Sequence, residues 1–127
     1  HWRPIIDWSE EDVWGIIQRH GIVPHPCYRL GFSRASCMIC IFSSAKQAAA
    51  VRDMDPARFD KVVGYEKDFD HTIRSDRSWE DLVREVPVAN YDPALVRLAL
   101  DHEYNGPIHT DNWELPAGAY GEACGPN

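Results

Sequence analysis

No apolar run in this 127-residue chain approaches the roughly twenty residues that a membrane-spanning helix needs. A span is therefore excluded as a reading of the sequence. There is no Gly-rich phosphate loop, no GxGxxG and no SGG-type loop, so no nucleotide-phosphate signature lies within these residues. Basic charge is short as well. Thirteen Lys and Arg stand against twenty Asp and Glu, a net charge of −7, which excludes a general DNA- or RNA-coating surface. A secretory signal is lacking and cysteines number only four, which argues against a disulfide-stapled secreted scaffold and for a cytoplasmic protein. Internal repeats and low-complexity tracts are absent. An initiator Met is missing too, and the opening His1-Trp2-Arg3-Pro4-Ile5-Ile6 reads as a fragment or processed chain that enters a strand-like segment at once.

What is present suits one small globular domain over residues 1–127. Hydrophobic residues make up 44% of the chain and five are Trp, enough for a modest core without a metal for bulk stability. Ile5–Trp8 reads as a short extended piece. Ser9, followed by Glu10, Glu11 and Asp12, is a helix start whose acids suit the positive end of the dipole, and Gly21 is its stop. Ile22–Ser36, with Pro24, Pro26 and Gly31, lacks either period and reads as a loop, pinned by Tyr28 and Phe32. Ser44 with Gln47 has capping-box form and predicts a helix through about Met54. Asp55-Pro56 starts the next, with Phe59, Val62, Val63 and Phe69 as its buried stripe. Ser78-Trp79-Glu80-Asp81 predicts a helix to about Glu85. Asp92-Pro93 opens the last, with Leu95, Val96, Leu98 and Leu100 apolar. Beyond Asn105 the chain reads as an irregular tail anchored by Trp113, Leu115 and Tyr120. The fold class is mainly α, with a cysteine-bearing loop between the first two long helices.

Chemistry concentrates in that loop. Cys37-Met38-Ile39-Cys40 is a CxxC, Cys27 lies ten positions upstream of Cys37, and Cys124 stands near the C-terminus. Four thiolates complete a tetrahedral zinc or an iron–sulfur cluster. Two other readings stay open: inert buried thiols, since Cys37–Phe42 is an apolar run, and redox chemistry at one thiol. Cys124 reads as a fourth ligand, as a thiolate nucleophile or as a plain tail residue. His25 reads as a ligand, a substrate partner or a structural cap on the Pro turn. Arg29 and Arg34 read as partners for phosphate or sulfate oxygens or as solvated loop charges. Arg34 is also near enough in sequence to offset the charge of a thiolate cluster. His71, His102 and His109 lack ligand spacing and read as surface residues.

The segment His25-Pro26-Cys27-Tyr28-Arg29-Leu30-Gly31-Phe32, followed by Cys37-Met38-Ile39-Cys40, resembles the phosphoadenosine phosphosulfate (PAPS) reductase family. Its members carry a His/Asn-Pro-x-Tyr-x-x-Gly-aromatic segment, often followed by CxxC. The run Arg3–Trp14 is similar to the segment that leads into it, and Leu115–Glu122 is similar to the tails of phage- and prophage-type members. The resemblance implies that this chain is the C-terminal part of a protein whose N-terminal α/β domain, of the adenine-nucleotide α-hydrolase type, binds the nucleotide. It implies an adenine nucleotide or sulfonucleotide as partner of the whole protein, and a [4Fe–4S] cluster, with zinc as the alternative, on Cys27, Cys37, Cys40 and Cys124. On their own side-chain chemistry, His25, Arg29 and Arg34 are the candidate substrate contacts. The reductases' nucleophile lies in Glu-Cys-Gly-x-His. The nearest match here, Glu122-Ala123-Cys124-Gly125, is one residue out of register and lacks the His, and the cluster enzymes' Cys-Cys pair is not present. A reading from another class is a non-catalytic, zinc-stapled interaction module of a phage regulatory or DNA-modification assembly.

Overall fold

Five helices and a single 3-10 turn make up the regular structure of residues 2–121, the part that this computed structural model describes. Helix α1 (Glu10–Arg19) begins with a reciprocal cap. The Ser9 hydroxyl accepts from the Asp12 amide at 3.1 Å while the Ser9 amide donates to the Asp12 carboxylate at 2.9 Å. Those bonds hold the Asp12 carboxyl below its ordinary range. The segment before it is a turn and not a strand: Ile6 N–H donates to Arg3 at 3.3 Å and Trp8 N–H to Ile5 at 3.2 Å. A lone strand with nothing to pair with leaves its backbone groups to local bonds.

Helices α2 (Ala45–Met54), α3 (Pro56–Asp68) and α4 (Trp79–Val83) form the core. Ser44 and Gln47 close the expected capping box on α2, and Asp55 with Pro56 starts α3. Small residues on α2, Ala48, Ala49 and Val51, let it approach Phe59 and Val62 of α3 and Trp79, Leu82 and Val83 of α4. Trp79 is fully buried, and burial of a side chain of this size is worth on the order of 2–3 kcal/mol or more. The stripe on α3 stops short of its expected end. Phe69 is 75% exposed, because the helix ends at Asp68 and Phe69 stacks only on Tyr65, with ring centroids 6.1 Å apart. Helix α4 also ends early, at Val83.

A buried carboxylate organises the α3–α4 connection. Glu66 accepts from the Ile73 amide and the Trp79 amide, each at 2.9 Å, satisfying donors that would be costly to leave unpaired. Helix α5 (Pro93–Leu100) has no buried residue and sits against the 3-10 turn, with Leu98 and Leu100 partly exposed. The tail is held mainly through its backbone. Thr110 N–H donates to Gly21 at 2.7 Å, Gly118 N–H to Tyr28 at 2.7 Å, and the Trp113 indole to Ile22 at 2.9 Å. Leu115 and Tyr120, expected as anchors, are each about half exposed.

Candidate functional site

Local bonds shape the cysteine loop from its first residue. His25 Nδ1 accepts from the Cys27 amide at 3.2 Å and caps the 3-10 turn Pro26–Tyr28, so the structural role foreseen for His25 is realised. With Nδ1 accepting, a neutral ring carries its proton on Nε2, which is left as a donor. Leu30 and Phe32 amides both return to the Cys27 carbonyl, and Gly31 takes φ +90° to make that reversal, a conformation that L side chains rarely adopt. Phe32 thereby lies against the α2–α4 core, and Tyr28 meets Trp14 edge-on at 5.1 Å. Both aromatics pin the loop as expected.

Its far end is clamped from another element. Ser43 N–H donates to the Cys40 carbonyl at 2.9 Å. The Arg74 guanidinium donates to the carbonyls of Ile41 at 3.2 Å and Ser43 at 3.0 Å. Arg74 is itself held by Asp76 at 2.9 Å, and the Arg74 and Arg77 guanidiniums bring the Asp76 carboxyl down to about 2. The run Cys37–Phe42 is therefore a clamped loop at the edge of the core, against which Met38 and Ile39 pack. Cys37 is exposed, and Ile41 and Phe42 are about half exposed.

Four of the residues singled out in the sequence meet on one cavity of about 440 Å³: His25, Cys27, Arg34 and Cys37. A smaller adjoining recess is lined by Arg34, Cys37 and Cys40. Arg34 and Cys37 belong to both. Arg34 Nη2 donates to Cys40 Sγ at 3.5 Å. Arg29 is exposed and lines neither space. Cys124 lies outside the described residues. The cavity's other walls come from positions with no signal in the sequence: Met54 and Arg58 around the α2–α3 junction, and Ala99, Leu100 and His102 at the end of α5. They are scattered along the chain and meet only through helix packing. His102 is exposed, as expected, yet it stands on the cavity rim.

The donor types suit a soft ion, since three described cysteines are free thiols. Their environments differ. Burial pushes the Cys27 thiol up to about 11, so ligation there has to expel a proton. Among the described residues, no three of His, Cys, Asp or Glu are gathered closely enough to hold a metal ion. A closed set of ligands is not formed within residues 2–121.

Comparison with known proteins bears on the same segment. Residues 1–43 match the phosphoadenosine phosphosulfate reductase domain, so the stretch that carries Cys27, Cys37 and Cys40 is the matched one. An uncharacterized 37.8 kDa protein of Escherichia phage 186 is 38% identical over 66 residues, covering 52% of this chain and 20% of the phage protein. An uncharacterized protein of Methanocaldococcus jannaschii is 30% identical over 83 residues, covering 62% of this chain and 20% of its own length. The chain thus spans about one fifth of the length of the curated relatives it matches. No solved structure matches. The likeness to the PAPS reductase family and to a phage relative, read from the cysteine loop, is borne out. No helix among the described residues is long and apolar enough to cross a membrane.

Proposed function

We propose that this chain is the thiol-bearing, metal-binding part of a PAPS-reductase-like protein that acts on an adenine nucleotide or sulfonucleotide. The supporting observation is the shared wall: His25, Cys27, Arg34 and Cys37 line one cavity, and Arg34 bridges it to Cys40. Cys27, Cys37 and Cys40, with Cys124 as the fourth, hold a [4Fe–4S] cluster in this reading, or a zinc ion in its place. A cluster supplies electron transfer or a fixed field beside the substrate, whereas zinc supplies only a closed loop. Arg34 partly offsets the thiolate charge. The His25 Nε2 donor and the Arg34 guanidinium face an anionic group of the substrate, for which guanidinium geometry is well matched. In this reading another part of the whole protein supplies the nucleotide's phosphate loop; residues 1–127 carry no such signature.

Anaerobic purification tests the reading directly. A brown protein with broad absorbance near ~400 nm is expected, and Cys37→Ala or Cys40→Ala abolishes it. A colourless protein with stoichiometric zinc selects the structural, non-catalytic alternative. Protein with neither metal and with its thiols freely titratable sinks both.

A further inference from the structure

We infer that Arg58, on α3, is an anion-binding residue of the thiol cavity, acting with Arg34 to seat a tetrahedral, doubly charged oxyanion of the sulfate or phosphate class. The inference rests on the proposal that this cavity is the substrate side of the site, and it adds a residue that lies outside the family-matched segment 1–43.

Three observations carry it. Arg58 lines the same cavity as His25, Arg34, Cys37 and His102. Its Nε is ion-paired with Asp55 at 3.0 Å, in a side chain that is 48% exposed. Among the described residues, Nη1 donates to the Met38 thioether, at 3.5 Å. A thioether sulfur is a weak acceptor, so a cationic donor is held in place against a poor partner. An oxyanion would replace it with a charge-assisted bond, among the stronger hydrogen bonds available to a protein.

Other polar side chains on the wall can donate as well. Two guanidiniums, Arg34 and Arg58, line the cavity with the Asp101 carboxylate and the imidazoles of His25 and His102, and Asp55 balances Arg58. One Asp101 oxygen is already engaged by the Glu103 amide at 3.1 Å. A guanidinium pair suits a tetrahedral oxyanion, whose oxygens accept from both forks. The remainder of the wall includes the apolar side chains Leu30, Phe32, Val96 and Leu100.

Calorimetric titration with sodium sulfate, at constant ionic strength and with the thiols reduced, tests the inference. Saturable binding is expected. Arg58→Gln and Arg34→Gln each weaken it by at least about tenfold, the scale of one lost charged hydrogen bond. Arg19→Gln, the same charge change on α1, leaves it as it was. The cap of α3 survives in Arg58→Gln, because Asp55 caps through the residue-58 backbone amide, and circular dichroism checks this. The inference is overturned if the unmodified chain shows no saturable sulfate binding. It is equally overturned if Arg58→Gln binds like the parent, or if Arg19→Gln loses as much as Arg58→Gln. Metal content on the same samples separates the two proposals. Metal without sulfate binding removes the oxyanion seat alone, and sulfate binding without metal removes the metal centre alone.

Discussion

Cys27 and Cys37 line one cavity but differ in what surrounds each sulfur. Burial raises the Cys27 thiol to about 11, while Cys37 is exposed. Thiolate fraction and access both govern alkylation. Metal-free protein treated with iodoacetamide at pH 8 should therefore lose Cys37 first and Cys27 last, by mass mapping. Labelling of Cys27 at the rate of Cys37 would mean that the loop does not hold its Pro26–Tyr28 turn. Much at this level was legible beforehand. The CxxC, the His25 cap and the pinning by Tyr28 and Phe32 all follow from short-range chemistry within the loop. Arg58 was not legible, because a lone Arg on a helix reads as solvated, and only its position over Met38 says otherwise.

The helices that the capping rules locate begin where expected, since Ser9, Ser44, Asp55, Ser78 and Asp92 all accept bonds from the first turns they open. Where helices end, and what their far faces meet, was less legible: Phe69 and Leu98 have the right chemistry for a core and remain outside it. The α3–α4 connector shows why. Its charged residues carry no helical or strand period, yet Glu66 fixes its backbone and Arg74 reaches back to hold the cysteine loop. Arg74→Ala should cost about 1–3 kcal/mol, the range for charged hydrogen bonds, and should speed alkylation of Cys40 several-fold while Cys27 stays protected. Uniform speeding of both would indicate general unfolding instead. Acidification acts on the same clamp. The Asp76 carboxyl is depressed in the folded state, so its contribution is complete above its ordinary 3.8 and is lost as pH falls toward about 2. Cys40 labelling by an acid-tolerant disulfide reagent should rise over that window, and Asp76→Asn should remove the pH dependence.

Across the chain, one compact core of α2, α3 and α4 supports a loop that α1, α5 and the tail close from the other sides. The tail's seat is narrow. A Cβ at Gly118 would run into the backbone oxygens of Phe32 and Tyr28, which cannot move without opening the loop. Gly118→Ala should release the tail, seen as faster hydrogen exchange at Gly118 and Thr110 with the α2–α4 core still protected. Protection unchanged at Gly118 would refute this placement. Such an anchor leaves little trace in sequence, since a glycine in an irregular stretch reads as flexibility and not as a close approach.

Helical class, the capped starts, the cysteine loop and the kinship of residues 1–43 were all readable from residue order, because each depends on neighbours a few positions apart. Which thiols share a wall, that Arg34 rather than Arg29 faces them, and that Arg58, His102 and Arg74 join the site came from the packing of distant segments. Contacts of that kind are set by how helices and loops stack in space, and no local pattern along the chain encodes them.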